Sequence, residues 1–294
     1  MSNMWFYIAL ATSLISAVSI ILNKRILKGV SPSVLTWCTL VLATPIIAIF
    51  AIKEGIPNLG ILFFIGVVGS VLFYTISKVI QFRAMKIADL SAIYPLVSLG
   101  PIFTLLVAFL PPLNEKPGFI AVIGILVTLL GTYVLNVSNV KEGLLKPVKL
   151  LFENKASALM IFSVLIDSVV IVFDKLAINN TLPKNTTFVL LIENILVIVG
   201  LLPILFFKNK NFTREIFDNK KLFIILGVLN AFSTILAFSA VGGGSVGIVS
   251  TILKAQLLFV LLFSFLFFKD RPKLETIIGS VIMIVGVVLI KIGL

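Results

Sequence analysis

The sequence of 294 residues contains no histidine, one cysteine and few charged side chains. Without histidine, the chain has no imidazole general base, metal ligand or proton relay. The single cysteine, Cys38, allows neither an internal disulfide nor a metal-binding cysteine cluster. Only 12% of the residues are charged, whereas 60% are hydrophobic. A soluble protein of this composition would expose aggregating apolar patches, so the sequence predicts an integral membrane protein.

The sequence also lacks the motifs of several common activities. It has no nucleophile–base pair, and Gly242-Gly243-Gly244 is not followed by the Gly-Lys-Ser/Thr of an ATP-binding loop. We therefore predict neither an enzyme nor an ATP-driven pump, and no cofactor or metal. The net charge of +12 does not indicate a nucleic-acid partner, because Lys and Arg lie in short connections between apolar runs.

Ten mostly apolar segments have the length of roughly 20 residues that a helix needs to cross a bilayer. They cover residues 4–22, 33–52, 59–80, 90–111, 117–137, 157–174, 186–207, 222–241, 245–268 and 274–292. Continuous apolar runs favour helices over a β-barrel. The sequence thus predicts an all-α, multi-pass protein of the cell membrane with ten transmembrane helices. Its basic residues concentrate in the odd-numbered connections, which predicts that both termini lie outside.

An internal repeat divides the chain. The tripeptide at 115–117 (Glu-Lys-Pro) recurs in similar form at 270–272 (Asp-Arg-Pro), an offset of 155, and glycines of spans five and ten align at the same offset. An offset of 151 aligns Lys24, Pro32 and Thr36 with Lys175, Pro183 and Thr187. Because each half has five spans, the second half must be inverted relative to the first. We therefore predict five-helix repeats at 1–140 and 157–294, joined by a basic loop at 141–156, an arrangement typical of secondary transporters.

The order of motifs in the first half carries a family resemblance. The motifs are Ala84-Met85-Lys86, Ala88-Asp89-Leu90-Ser91-Ala92, Leu99-Gly100-Pro101-Ile102-Phe103, Asn114-Glu115-Lys116-Pro117 and the spaced glycines Gly124 and Gly131. This order resembles the EamA repeat of the drug/metabolite transporter superfamily. The second half is similar but weaker, with Gln256 in place of Pro101. The resemblance implies a transporter whose spans four and nine line a central cavity, and it implies cytoplasmic termini, contrary to the charge distribution.

Three ionisable residues lie well inside predicted spans: Lys254, Glu193 and Asp167. Such groups cost about 2.5–3.5 kcal/mol at the helix centre and need a partner or water. We expect Lys254 to pair with one of the two acids or to neutralise an anionic group of a substrate. Either acid is suited to bind an amine or to carry a coupling proton. Structural ion pairing is the alternative for all three.

Span four contains Pro95, Gly100 and Pro101, which predict a kink or an opening of the helix. Carbonyls freed by such an opening are tolerated only against protein or a water-filled cavity. We therefore include Tyr94 and Ser98, on the same segment, in the predicted substrate site.

Two further residues complete the predicted site, Gln256 in span nine and Asn230 in span eight. Other ionisable residues near span ends are expected to anchor the helices at the membrane surface: Lys24, Lys78, Asp174 and Lys175.

Three kinds of function remain open from the sequence. The first is a secondary transporter that exports small organic solutes, such as amino acids or related metabolites, by alternating access, with or without a coupling proton or ion. The second is a flippase for a lipid-linked small molecule. The third is a membrane scaffold without transport activity. The expected partners are a small-molecule substrate and the lipid bilayer, and the protein is expected to be a monomer or a homodimer.

Overall fold

The computed structural model describes residues 4–88, 94–137, 155–208, 212–268 and 274–293. Within these ranges the chain is almost entirely helical. The helices are α1 Met4–Ile26, α2 Pro32–Glu54, α3 Ile61–Ile87, α4 Gly100–Ala108, α5 Phe119–Val137, α6 Lys155–Asn179, α7 Thr186–Lys208, α8 Phe212–Asp218, α9 Lys220–Gly243, α10 Val246–Leu253, α11 Gln256–Phe268 and α12 Leu274–Ile292. A 3₁₀ helix, Tyr94–Leu99, precedes α4, and the two strands are β1 Asn58–Leu59 and β2 Thr181–Leu182.

Six helices are long and apolar enough to cross a membrane: α1, α2, α3, α6, α7 and α9. Shorter apolar helices occupy three further predicted spans, at Phe119–Val134, Val246–Val260 and Ile277–Ile292. The remaining predicted span, number four, is divided between the 3₁₀ helix and α4. The helical membrane architecture is therefore confirmed, while the count of ten spans stays a prediction.

The two short strands are the one departure from a purely helical fold in the described chain. β1 pairs antiparallel with β2, with Asn58 opposite Leu182 and Leu59 opposite Thr181. This ribbon joins the α2–α3 connection to the α6–α7 connection. The α1–α2 and α2–α3 connections lie at opposite ends of α2. The ribbon places the α6–α7 connection beside the α2–α3 connection. The α6–α7 connection is therefore at the opposite end from the α1–α2 connection, its counterpart in the first repeat. The position of the ribbon therefore indicates that the two repeats have opposite orientations.

The closest helix pairs join one repeat to the other. α3 packs along α6, α1 along α9, α2 against α7, and α5 against α12. Glycines allow the last contact: a Cβ atom built on Gly131 would lie 2.8 Å from the Gly279 carbonyl oxygen, and one on Gly124 would lie 2.8 Å from the Gly286 carbonyl oxygen. The spaced glycines therefore permit close packing of these two helices.

The outer surface of the bundle is apolar. On α3, for example, Ile65, Val68 and Leu72 are exposed, whereas Ser70 and Ser77 are buried. This is the reverse of the arrangement in a soluble helix, and it suits a protein whose surface contacts lipid while its polar groups face the other helices.

Candidate functional site

Span nine is broken in the middle, at Lys254. α10 ends at Leu253 and α11 begins at Gln256, with Lys254 and Ala255 between them. The Lys254 N–H donates to the Thr251 carbonyl at 3.1 Å, and the Lys254 carbonyl accepts from the Leu257 N–H at 3.0 Å. Both bonds span three residues, the tighter spacing of a 3₁₀ turn. The partly buried Lys254 thus lies at a helix interruption within an apolar span.

Span four changes its helix type at the matching position. The 3₁₀ helix ends at Leu99 and α4 begins at Gly100, with Pro101 in its first turn. At the repeat offset of 155, Leu99 corresponds to Lys254 and Gly100 to Ala255. Both repeats therefore interrupt their fourth helix at the same place, and a hinge role for this segment stays a prediction.

The two interruptions approach each other inside the bundle. A Cβ atom built on Gly100 would lie 3.4 Å from Cε of Lys254 and 3.7 Å from its Nζ. The Gly100 carbonyl accepts a hydrogen bond from Ser168 Oγ of α6 at 3.2 Å. The absence of a side chain at Gly100 therefore gives the lysine its room between spans four, six and nine. The side chains of Tyr94, Pro95 and Ser98 lie outside the described part of the structure.

The expected pairing of Lys254 with Glu193 or Asp167 is not found among the described residues. Asp167 is held instead by α3, where Lys78 Nζ lies 3.3 Å from its Oδ2 and Ser77 Oγ donates to its Oδ1 at 2.5 Å. Lys78 was expected to extend to the membrane surface, and this expectation is wrong. Because α3 continues to Ile87, Lys78 lies more than two turns inside the helix and faces α6.

A second pair of acids lies further along the same helices. Ser70 Oγ of α3 donates to Oδ1 of Asp174 at 2.5 Å. Glu193 of α7 lies within electrostatic range of both residues. Asp174 is 8% exposed and Glu193 is 6% exposed. The expectation that Asp174 anchors at the surface is also wrong. The helix α6 continues beyond it to Asn179, and Asp174 is buried against Ser70 of α3.

These contacts form one polar seam between α3 and α6, which we call the charged interface and define as Ser70, Tyr74, Ser77, Lys78, Asp167 and Asp174. The two serines and the two aspartates are each seven residues apart, nearly two helical turns, so they meet pairwise on antiparallel helices. Lys78 Nζ also lies 5.5 Å from the ring centroid of Tyr74, a cation–π distance. The polar stripe on α3 was a helical-period signal that the sequence analysis missed.

Lys24 and Lys175, aligned in the two repeats, cap equivalent helices. Lys24 Nζ donates to the carbonyls of Met85 and Ala88, both at 2.6 Å, at the C-terminus of α3. Lys175 Nζ donates to the carbonyls of Val241 and Gly244, at 2.5 and 2.8 Å, at the C-terminus of α9. A cation there satisfies free carbonyls and opposes the helix dipole. Lys175 is buried, so the expectation that it anchors at the membrane surface is wrong, whereas for the partly exposed Lys24 that expectation stays a prediction.

The four capped carbonyls also fix the alignment of the third helices. Met85 and Val241, like Ala88 and Gly244, are 156 positions apart. This offset makes Ser77 the counterpart of Ser233, and the offset of 151 makes Asp167 the counterpart of Ser16. Ser16 and Ser233 are indeed hydrogen-bonded, with 2.9 Å between their Oγ atoms. The α1–α9 contact is therefore a neutral copy of the charged interface, and we call it the neutral interface.

Glu115, the acid of the repeated tripeptide, holds the broken helix of the other repeat. Its Oε2 accepts from Ser245 Oγ at 2.7 Å and from the Val246 N–H at 2.8 Å. A carboxylate at this position satisfies a free N–H at the start of α10 and complements the positive end of its dipole. The equivalent Asp270 lies outside the described residues.

The interior also contains polar atoms without a hydrogen-bond partner in the described chain. They are Oε1 of Glu193, Nδ2 of Asn194, Nε1 of Trp37 and Oδ1 of Asn230. Buried polar atoms are normally paired, so unpaired ones indicate a place for water or a ligand. Gln256, predicted beside Lys254, is the first residue of α11 and is partly buried. Among the described residues, no group of three or more Cys, Asp or Glu side chains is arranged to hold a metal ion.

Comparison with known proteins agrees with this architecture. The profile of the EamA-like transporter family matches residues 3–137 and again residues 154–292. A solved structure titled "Crystal structure of protein" matches with a TM-score of 0.67 and 17% identity, over 98% of this chain and 95% of its own, which shows a shared fold. No curated protein matches the sequence. With two family matches that together span nearly the whole chain, the protein is a multi-pass integral membrane protein and belongs to the EamA-like transporter family.

Proposed function

We propose that the protein is a secondary transporter that exports small organic solutes, such as amino acids or related metabolites, by alternating access. The observation that carries this proposal is Lys254, a cation at a helix break inside an apolar span, without an ion pair in the described chain. A lysine at this depth costs several kcal/mol, by estimates of about 2.5–3.5 kcal/mol at the helix centre, unless water or an anion compensates it. A solute carboxylate would supply that anion.

The neighbouring charges support a zwitterionic substrate. Lys254 lies within electrostatic range of Asp167 and Lys78. Asp167 is partly exposed, at 27% of its side chain, so a solute amine can reach it and compete with Lys78. The solute carboxylate would then bind Lys254 and the solute amine would bind Asp167. Without solute, the single ion pair among these residues is the one between Lys78 and Asp167. Buried polar atoms such as Asn230 Oδ1 add capacity for uncharged groups of a solute.

The matching interruptions of spans four and nine supply a route for alternating access. Each interruption divides its span into two short segments, and the two meet where Lys254 passes over Gly100. In inverted repeats, each half can open toward its own side of the membrane while the site stays near the midplane. A solute that binds between the interruptions would be exposed to one side and then to the other as the segments exchange their packing.

A thermal-shift screen of detergent-purified protein tests this proposal. The panel contains amino acids, nucleosides, sugars and organic cations, and each compound is measured on the wild type and on Lys254→Leu, which introduces the residue that Leu99 provides in the first repeat. A ligand at 100 times its Kd stabilises the folded state by about 2.7 kcal/mol. We expect zwitterions to raise the Tm of the wild type and to have no effect on the variant. A shift that is unchanged in the variant would remove Lys254 from the site.

One observation favours the flippase alternative. A groove of about 290 Å³ opens between α3, α4 and α6, and it is lined by Phe73, Phe103, Leu106, Val107, Leu165, Ile166 and Val169. Its walls are apolar, as an acyl chain requires, and three of its lining residues come from α6, the helix that carries Asp167. Stabilisation by lipid-linked compounds and not by free solutes would favour this function.

A further inference from the structure

Asp174 and Glu193 are two acids within electrostatic range of each other, and we consider them as a pair. Neither forms an ion pair among the described residues. They come from α6 and α7, are both more than nine-tenths buried, and both lie beside Ser70 of α3. Ser70 has one proton to donate and gives it to Asp174. Oε1 of Glu193 has no hydrogen-bond partner among the residues that the structure describes. The pair therefore contains an unsatisfied oxygen that points to a missing proton or ligand.

The neighbouring lysines form no ion pair with either acid in the described chain. Lys78, across on α3, lies 3.3 Å from Asp167, and Lys254 lies within electrostatic range of the same Asp167. Lys175 follows Asp174 in sequence, but its Nζ donates to carbonyls of α9. Tyr74 is the remaining ionisable group close to both acids, and it carries no positive charge. Two ionised carboxylates would thus stand together in a medium that solvates neither.

One proton resolves this imbalance. Two acids that share a site do not both ionise, because the second negative charge is opposed by the first and by desolvation. Lys78 and Lys254 contribute two positive charges, which Asp167 and one further carboxylate balance. A single proton on the pair leaves that one further carboxylate and makes the group of five neutral. The same proton would give Glu193 or Asp174 the donor that the empty oxygen lacks.

We propose that Asp174 and Glu193 form an intramembrane proton-binding site that holds one proton between them at neutral pH. The site itself does not depend on transport, but its role as the source of the coupling ion rests on the proposed function. Release of the proton requires water to reach the pair, and a change in the packing of α3 against α6 would admit it. A transport cycle that loosens this contact would therefore exchange the proton with one side of the membrane.

Infrared spectroscopy of the full-length protein in D₂O at neutral pH tests the site directly. A protonated carboxyl has a C=O stretching band distinct from that of a carboxylate. We expect one such band in the wild type and its loss in Asp174→Asn/Glu193→Gln. Glu54→Gln is the matched control, because Glu54 is exposed at the end of α2 and its removal should leave the band unchanged. No band in the wild type, or a band that survives in the double variant, would overturn the proposal.

A second measurement requires no substitution. Protein with ¹³C-labelled aspartate and glutamate should show an isotope shift of the band, and the band should disappear as the pH is raised. An insensitive band would belong to another group and would overturn the proposal equally.

The coupling role has a separate readout in liposomes. An imposed pH gradient should accelerate movement of the solute identified by thermal shift, and Glu193→Gln should abolish this acceleration. Failure of transport with the infrared band present would reject the proposed function and keep the proton site, whereas transport without the band would do the reverse. Equal acceleration in Glu193→Gln would reject the coupling role.

Discussion

The charged and the neutral interface follow one plan, yet only one of them carries charge. In both, the first helix of one repeat packs along the third helix of the other, and a serine of the third helix hydrogen-bonds its partner. At the repeat offsets, the charged residues of the charged interface, Asp167, Asp174 and Lys78, correspond to Ser16, Asn23 and Thr234. The neighbouring Glu193 and Lys254 correspond to Leu42 and Leu99. The repeat thus provides the same helix packing twice, whereas these ionisable side chains are present in one of the two copies. This separation supports our proposal that the charged interface is a functional site rather than a packing motif.

Removing the acid from the charged interface should have the largest effect. Asp167→Asn leaves Lys78 without its counter-ion. Because this ion pair is partly exposed, we expect its loss to lower the free energy of unfolding by about 2–4 kcal/mol. Ser16→Ala at the equivalent position removes one neutral hydrogen bond and should cost about 1 kcal/mol. Thermal unfolding in detergent measures both.

A double variant sharpens this contrast. Asp167→Asn/Lys78→Met removes both charges and should recover most of the lost stability, since the penalty comes from the unpaired lysine. Equal losses at Asp167 and Ser16, or no recovery in the double variant, would show that the two interfaces do not differ in the way that their charges indicate.

Lys24 and Lys175 each cap the C-terminus of a helix, so substituting them tests a feature that the two repeats share. Lys175→Met should cost about 2–3 kcal/mol, because it removes charge-assisted hydrogen bonds to the end of α9 from a buried position. Lys24→Met, at the end of α3, should cost about 1–2 kcal/mol because Lys24 is less buried. Unfolding midpoints of the two variants give the comparison, and an effect at only one of the two would contradict their equivalence.

At the contact between α5 and α12, equivalent helices of the two repeats pack against each other through their spaced glycines. Gly131→Val places a Cβ atom about 2.5 Å from the Met283 nitrogen and should cost about 1–3 kcal/mol through overpacking. Gly29→Ala is the matched control, because a Cβ atom there meets nothing within 4 Å. A stability change for Gly29→Ala as large as that for Gly131→Val would argue that the glycines act through the flexibility of the backbone and not through packing.

The smallest expected change concerns Ser70. Ser70→Ala should cost about 1 kcal/mol if the proton of the pair resides on Asp174, because the lost bond is then one between neutral groups. A loss of about 2–3 kcal/mol would indicate a charged acceptor instead. The size of the change in the free energy of unfolding therefore reports the charge of Asp174.

Much of the fold could be predicted from the sequence because the apolar runs, the prolines and the repeat are properties of single segments. The matching of Glu115 with Asp270 and of Lys24 with Lys175 located both repeats before any contact was known. The functional meaning of these residues could not be predicted in the same way. Glu115 caps α10 and Lys24 caps α3, and both contacts depend on how helices from distant parts of the chain come together.

The candidate site was harder to predict for a specific physical reason. A hydropathy window ends a span where charge begins, so it placed Asp174 at the end of span six, while α6 continues to Asn179. Asp174 is accepted inside the bundle because Ser70 of the other repeat donates to it, a contact that no single span contains. Lys254 was recognisable because apolar residues surround it on both sides. Its neighbour Gly100 and its lack of an ion pair in the described chain needed the structure.

Solute transport by reconstituted protein tests the central claim most directly. Liposomes containing the wild type, Lys254→Leu or Ser16→Ala are compared for uptake of the radiolabelled solute that gave the largest thermal shift. We expect uptake above empty liposomes for the wild type and similar uptake for Ser16→Ala in the neutral interface. For Lys254→Leu we expect a loss of about tenfold or more, equivalent to about 1.4 kcal/mol or more. Equal uptake in the wild type and Lys254→Leu, or no uptake by any of the three, would contradict the central claim.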